Sequence, residues 1–270
     1  MCEMLQARAL SVCTLGRSRG RHGNTILADL AQPEALSLNG RFDVLVHMAP
    51  LWLLPENMER ILASGVRRVI AFSSTSVESK QSSAEAADRE LARALVSAED
   101  RIKETAAASN IALTLFRPTM IYGFGRDGNI MAIAALIKRI GVFPIAGSGS
   151  GLRQPVHSLD LANAVGRCME IGSTIGQTYN LGGAEKLSYK NMVQRIFIAL
   201  ERKPRILHIP QPLYRVFIGV AVKLKMIGEV SSGAAARMNE DLCFDMGPAA
   251  TDFGYRGSGF LENPARDLLL

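Results

Sequence analysis

Along the chain, short apolar runs rich in β-branched residues alternate with longer stretches whose apolar positions recur every three or four residues. The runs "ALSVCTL" (9–15), "NTILADL" (24–30), "FDVLVHMA" (42–49), "RRVIAFSS" (67–74), "IALTLFRP" (111–118) and "TYNLGG" (178–183) read as strands. Between them, "ENMERILASG" ends in Gly65, where a helix commonly stops, and the stretch from about Ser83 to Asn110 reads as one long helix with Leu91, Leu95, Ala98 and Ile102 as its buried stripe. Strand and helix in alternation predict βαβ units around a parallel sheet, and the consecutive apolar residues in the strands suit a sheet covered on both faces. After Pro118 the texture changes. A glycine-punctuated loop, "IYGFGRDGNI", leads into helical patterns at "IMAIAALIKRI", "LDLANAVGRCMEIG" and "SYKNMVQRIFIALERK", with a helical and then irregular tail from about 211. The expected organisation is a sheet-based core over 1–122 and 159–183, with 123–158 and 184–270 forming a smaller, mostly helical cap.

At 270 residues the chain suits one core with a cap. A net charge of +6 is a mild bias at this length, and the basic residues interleave with acids except at Arg17, Arg19 and Arg21. That is no nucleic-acid footprint, and a small anionic ligand such as a nucleotide explains the bias as well as a polymer would, so no nucleic-acid partner is expected. Cys2, Cys13, Cys168 and Cys243 form no C-x-x-C pair, so buried free thiols in a reducing compartment are expected. No signal peptide pattern is visible, and the most apolar segment, within 211–228, is interrupted by Arg215, Lys223 and Lys225. These features predict a cytoplasmic protein without a transmembrane segment. Peripheral membrane contact through the 211–228 face competes with packing in the cap, which explains the same stripe more simply.

Gly16, Gly20 and Gly23 follow the first strand, but their spacing is G-x-x-x-G-x-x-G and a strand-like run comes next. A dinucleotide fingerprint instead runs strand, glycine turn, helix, with helix-end N–H groups holding a pyrophosphate. The better reading is the turn after a second strand, where an Arg favours NADP and a carboxylate favours NAD.

"FDVLVHMA", "VIAFSSTSV", "LFRPTMIYGFG" and "RQPVHSLDLANAV" stand in the order and spacing of extended and atypical short-chain dehydrogenases/reductases, the NAD(P)-dependent epimerase/dehydratase group, which the chain resembles from about residue 1 to 257. The resemblance implies a Rossmann-like doubly wound α/β sheet with a C-terminal cap. It implies NADP, with NAD possible, and a small-molecule substrate such as a nucleotide sugar; a homodimer is compatible. It matches Arg17 to the 2′-phosphate, Asp29 to the adenine contact, and His47 and Ala49 to the H-x-A turn beside the cofactor. Ser74 corresponds to the serine that binds the substrate oxygen. Arg117, Pro118 and Tyr122 belong to the loop on the nicotinamide side, and Arg153 corresponds to a residue that binds a substrate diphosphate. His157 and Asp160 are expected to be structural. Simpler readings stand beside these: His47 as a hydrogen-bonded core histidine, Ser73 and Ser74 as a strand end, and "GSGSG" (147–151) as a flexible turn whose N–H groups could also help hold an anion.

Two departures from the family pattern bear on activity. Counting from Ser74, the family's Tyr-x-x-x-Lys falls on Glu99 and Lys103. No tyrosine of the chain has Lys four residues later. Glu99 beside Lys103 would be an ionised base with no proton to donate, while Lys103 could still hold a ribose. Both residues follow stripe positions by one, which suits a cleft rim or an exposed ion pair. Second, family members begin with a strand and a G-x-x-G-x-x-G turn, and the pattern read here starts after them. A truncated or mis-started longer protein is expected. "ALSVCTL" and "FDVLVHMA" must then either pair directly or leave a gap. The primary expectation is an epimerase/dehydratase-like oxidoreductase, impaired in this form. The alternative is a non-catalytic NADP-binding or assembly protein, of the kind found among accessory subunits of respiratory complex I.

Overall fold

The computed structural model describes residues 1–19, 24–214, 216 and 233–269. Gly20, Arg21 and Gly23 of the glycine-rich turn, and Phe217, Val220 and Leu224 of the apolar face expected within 211–228, lie outside the described residues, while Leu213 and Val216 of that face are exposed.

The main sheet has four parallel strands in the order β10 (Thr178–Leu181), β5 (Ala112–Pro118), β4 (Arg68–Phe72) and β3 (Val44–His47). Side chains alternate across it with the period of two that a pleated strand imposes. Val69 and Ala71 of β4, with Leu113 and Leu115 of β5, face one layer, built from α2 (Met58–Ala63) and the 23-residue α4 (Ala86–Ala108). Ile70 and Phe116 face the other, built from α6 (Ser158–Cys168) and the helix Gly247–Phe253. Helix α4 buries Asp88, Ala92, Leu95, Ala98, Glu99, Ile102 and Ala106 at steps of one, three and four residues, so its stripe holds two carboxylates among apolar side chains.

Of the two arrangements open to β3, direct pairing and a gap, the structure has the gap. β1 (Thr14–Gly16) pairs in parallel with β2 (Thr25–Leu27) as a separate ribbon, and among the described residues nothing pairs with the edge of β3 opposite β4. Two consequences follow. The strand read over 9–15 shrinks to three residues, because only β2 offers it hydrogen bonds, and Val44, Leu45 and Val46 of β3 stay half-buried. The cysteine expectation is also corrected: Cys168 is buried, Cys2 and Cys243 are half-buried and Cys13 is exposed.

The cap has its own core. α5 (Asn129–Ile140) and α7 (Tyr189–Ala199) pack Ile130, Ile137, Met192, Ile196 and Phe197 around the parallel pair β7 (Phe143–Ala146) and β12 (Ile206–Ile209). Their ends follow the local sequence. Gly141 closes α5 at φ +74°, and the Ser188 hydroxyl caps α7 by accepting from the Asn191 N–H. The short pair β6 (Ile121–Tyr122) and β9 (Val156–His157) joins sheet to cap. Among the described residues no helix is long and apolar enough to cross a membrane.

Candidate functional site

Parallel strands release their loops at one end of the sheet, and ligands of such folds bind there. The loops after β3, β4 and β5 together border a cavity of about 1800 Å³ that the cap closes from the far side. Of the residues singled out in the sequence, Ala49, Ser74, Pro118, Tyr122 and Arg153 line it. Arg17, Asp29, His47, Glu99, Lys103 and Arg117 do not.

Ser74 starts the turn into α3 (Ser76–Ser79). Its hydroxyl accepts from the Ser76 N–H and donates to the Ser76 hydroxyl, both at 3.1 Å. Neighbouring Thr75 is tied to the Pro118 carbonyl by both its N–H and its hydroxyl, which fixes the β4 loop against the end of β5. Tyr122 is buried; its OH donates to the Gly259 carbonyl and accepts from the Leu261 N–H, and burial pushes its pKa up to about 12. That phenol joins the cap to the core and is not poised for proton transfer near neutral pH.

The opposite wall is α4, and its register corrects the expectation drawn by counting from Ser74. Glu99 is not at a cleft rim; it is 1 % exposed. It accepts from Arg117 Nε at 2.9 Å and Nη2 at 2.5 Å, and from the Ser73 hydroxyl at 2.6 Å. Burial pushes its pKa up, but these hydrogen bonds and the nearby charges of Arg117 and Lys103 outweigh that, and the carboxyl is held below its ordinary value. Arg117 also reaches Glu78 at 3.0 Å and points into this cluster. Lys103 lies outside, 43 % exposed along its side chain and 3.5 Å from Glu99. The residues that α4 presents to the cavity are Asp88, Leu91 and Leu95. In the sequence the two leucines read only as part of the buried stripe. Periodicity cannot separate stripe positions that meet the core from those that meet a cavity, because that depends on where the strands end.

Asp88 draws the cap inward. It accepts from Lys80 at 2.7 Å and from Arg237 of the helix Ala234–Arg237 at 2.6 Å. Burial pushes its carboxyl up, but the bonds to Lys80 and Ser83 and the two positive charges hold it below its ordinary value. Arg153 is buried and donates to the backbone carbonyls of Leu152, Arg237 and Glu240, which ties β8 (Leu152–Arg153) to the segment after that helix. Burial lowers its pKa.

His47 is buried at the end of β3 with Nε2 at 3.3 Å from the Pro50 carbonyl, and burial lowers its pKa. His157 Nε2 meets Asp267 at 3.0 Å while Nδ1 accepts from the Leu159 N–H, and Asp160 accepts from both the N–H and the hydroxyl of Ser258. Asp29 accepts from the Ala31 N–H in a local turn, and Arg17 is exposed after β1. In the 147–151 turn, the Gly149 and Gly151 N–H groups are taken by the Asn239 side chain and the Met238 carbonyl, so they form no anion cradle.

Comparison with known proteins agrees with this architecture. Residues 56–182 match the NAD dependent epimerase/dehydratase family. That match covers a little under half of the chain. It is 28% identical over 166 residues to "Uncharacterized protein y4nG" of Sinorhizobium fredii (strain NBRC 101917 / NGR234), covering 60% of this chain and 40% of that protein. It is 27% identical over 128 residues to NADH dehydrogenase (ubiquinone) 1 alpha subcomplex subunit 9, mitochondrial, of Arabidopsis thaliana, covering 44% and 32%. The chain thus spans about half, or less, of the length of the curated relatives it matches. Among solved structures, MoeE5 in complex with UDP-glucuronic acid and NAD shares the fold at TM-score 0.71 and 17% identity, over 99% of this chain and 93% of that one.

NAD(P) is typical of the family, and the described residues fit it only at one end. Ala49, Ser74 and Pro118 border the cavity where the nicotinamide side is expected. Among the described residues the pyrophosphate end has no strand, glycine turn and helix beside β3, and the α4 positions that follow Asp88 along the cavity are leucines, where a ribose needs a hydrogen-bonding group. The described residues therefore do not form a complete dinucleotide site.

Proposed function

We propose that this chain is a ligand-binding member of the epimerase/dehydratase family that does not itself carry out the family's hydride and proton transfers. Its ligand, on this reading, is a nucleotide sugar or a similar hydroxyl compound. The observation that carries the reading is the pair Leu91 and Leu95, which face the cavity that Ser74 lines. They have the i, i+4 spacing of a Tyr-x-x-x-Lys pair. With the register set by the cavity instead of by counting, both positions of that pair hold leucine. A leucine neither gives nor takes a proton, and a positioned acid or base is typically worth about 10²–10⁴ in rate. Glu99 offers no replacement, because its carboxylate is held ionised by Arg117 and turned into the core. Ser74 remains in place to bind a hydroxyl oxygen, beside the further hydroxyls of Ser73, Thr75 and Ser76 on the same wall.

Calorimetry of the full chain with UDP-glucose tests this. Saturable binding that Ser74→Ala weakens at least tenfold is expected, and heat that this variant leaves unchanged rejects the role given to Ser74. A second reading, an NADP-linked reductase or epimerase, is favoured by Ala49, Ser74, Pro118 and Tyr122 lining one cavity and by the exposed Arg17 and Arg19 after β1. Steady oxidation of NADPH with a keto sugar, lost in Ser74→Ala, would establish it.

A further inference from the structure

The α4 wall of the cavity changes character along its length. Asp88, Leu91 and Leu95 succeed one another at steps of three and four residues, so they share one helix face. At 1.5 Å of rise per residue the face runs from a charged to an apolar end in about 10 Å. The charged end is held by Lys80 and Arg237. At the apolar end, Leu95 packs with Leu51 in the core, and Leu91 lies against the same cluster. The loop that carries Leu51 also brings Met48 and Trp52 to the cavity, and these stay 59 % and 43 % exposed. Large apolar side chains left open at the mouth of a cavity mark a ligand surface. Hydroxyls stand next to this patch, since Ser73 to Ser76 line the same cavity from the end of β4.

We propose that the space between α4 and the loop after β3 is an apolar subsite, which takes the aliphatic or aromatic portion of an amphipathic compound whose hydroxyl-bearing portion meets Ser74. This rests on the reading above that the described residues do not form a complete dinucleotide site. The leucines exclude water from the subsite, and Trp52 and Met48 cover the ligand's apolar body from the opposite side.

Trp52 is the only tryptophan of the chain, so its emission reports directly on the subsite. The test is a fluorescence titration of the full chain with n-octyl β-D-glucoside below its micelle concentration, methyl β-D-glucoside, and NADPH. Each fully buried CH₂ is worth about 0.8 kcal/mol, a factor of about four in affinity. Octyl glucoside is expected to shift the emission to the blue, to saturate, and to bind at least tenfold more tightly than methyl glucoside. Leu91→Lys is expected to weaken octyl glucoside at least tenfold. Met48→Glu, at an exposed position outside the core, is expected to do the same without disturbing folding. Equal affinity for the two glucosides, or octyl glucoside binding unaffected by both variants, overturns the subsite. If neither octyl glucoside nor NADPH binds, the subsite alone fails. Saturable NADPH binding without octyl glucoside binding overturns the subsite together with the reading beneath it.

Discussion

Two neighbouring stretches of α4 treat their charge and their surroundings in opposite ways. The turn at Glu99 buries a carboxylate and satisfies it with Arg117 and Ser73, so a group that chemistry could have used is committed to holding α4 against β5. One to two turns earlier, Leu91 and Leu95 turn apolar side chains toward a cavity bordered by serines. The carboxylate of Glu99 is turned into the core, and the two α4 positions that follow Asp88 along the cavity carry side chains that cannot ionise. In this helix a charged pair at i, i+4 marks architecture, and the chemistry of the site has to be read from the residues at the strand ends.

The largest expected effect breaks the buried side of that comparison. Removing one partner of a buried ion pair typically costs about 3–5 kcal/mol, so Glu99→Ala should lower urea stability by that order. Glu99→Tyr should be destabilised comparably and gain no hydride transfer, since position 99 does not face the cavity. Leu95→Ala, in the core beside Leu51, should cost about 2–4 kcal/mol. Leu91→Ala should cost less, because Leu91 is only half-buried. Both changes are read from the same denaturation curves.

Acid titration sharpens the contrast. The Glu99 pKa is depressed in the folded state, so the stability it contributes is fully present above its unfolded value of about 4.3. That contribution is lost as pH falls through the lower folded value. Glu99→Gln should therefore flatten the fall in urea midpoint between about pH 5 and pH 3. The smallest effect belongs to Lys103. Lys103→Ala should change stability by no more than about 0.5 kcal/mol, as expected for an exposed i, i+4 partner.

Much of the fold was legible because its signals are local. The consecutive apolar runs within 67–74 and 111–118, the stripe of α4 and the glycine end at Gly65 follow from neighbours in sequence. The strand read at 9–15 failed for the opposite reason: its length depends on a pairing partner elsewhere in the chain, and only β2 supplies one. The site was half legible. Ala49, Ser74, Pro118, Tyr122 and Arg153 do share a cavity, since motifs at the ends of parallel strands converge by topology. The α4 residues were misplaced because a count from Ser74 crosses the turn and loop over 74–85, whose length fixes the helix register and carries no periodic signal. The joint of Lys80, Asp88 and Arg237 was invisible, because Arg237 is 149 residues away from Asp88 in sequence.

On the proposed reading, the cavity binds without turning over, because leucines stand where proton-transfer groups would have to be. The most direct test incubates the full chain with UDP-glucose and NAD⁺ at saturating concentrations, following absorbance at 340 nm and the sugar protons by NMR. The account predicts no reduced nicotinamide and UDP-glucose recovered unchanged. Formation of NADH or of the 4-epimer, abolished in Ser74→Ala, would contradict it.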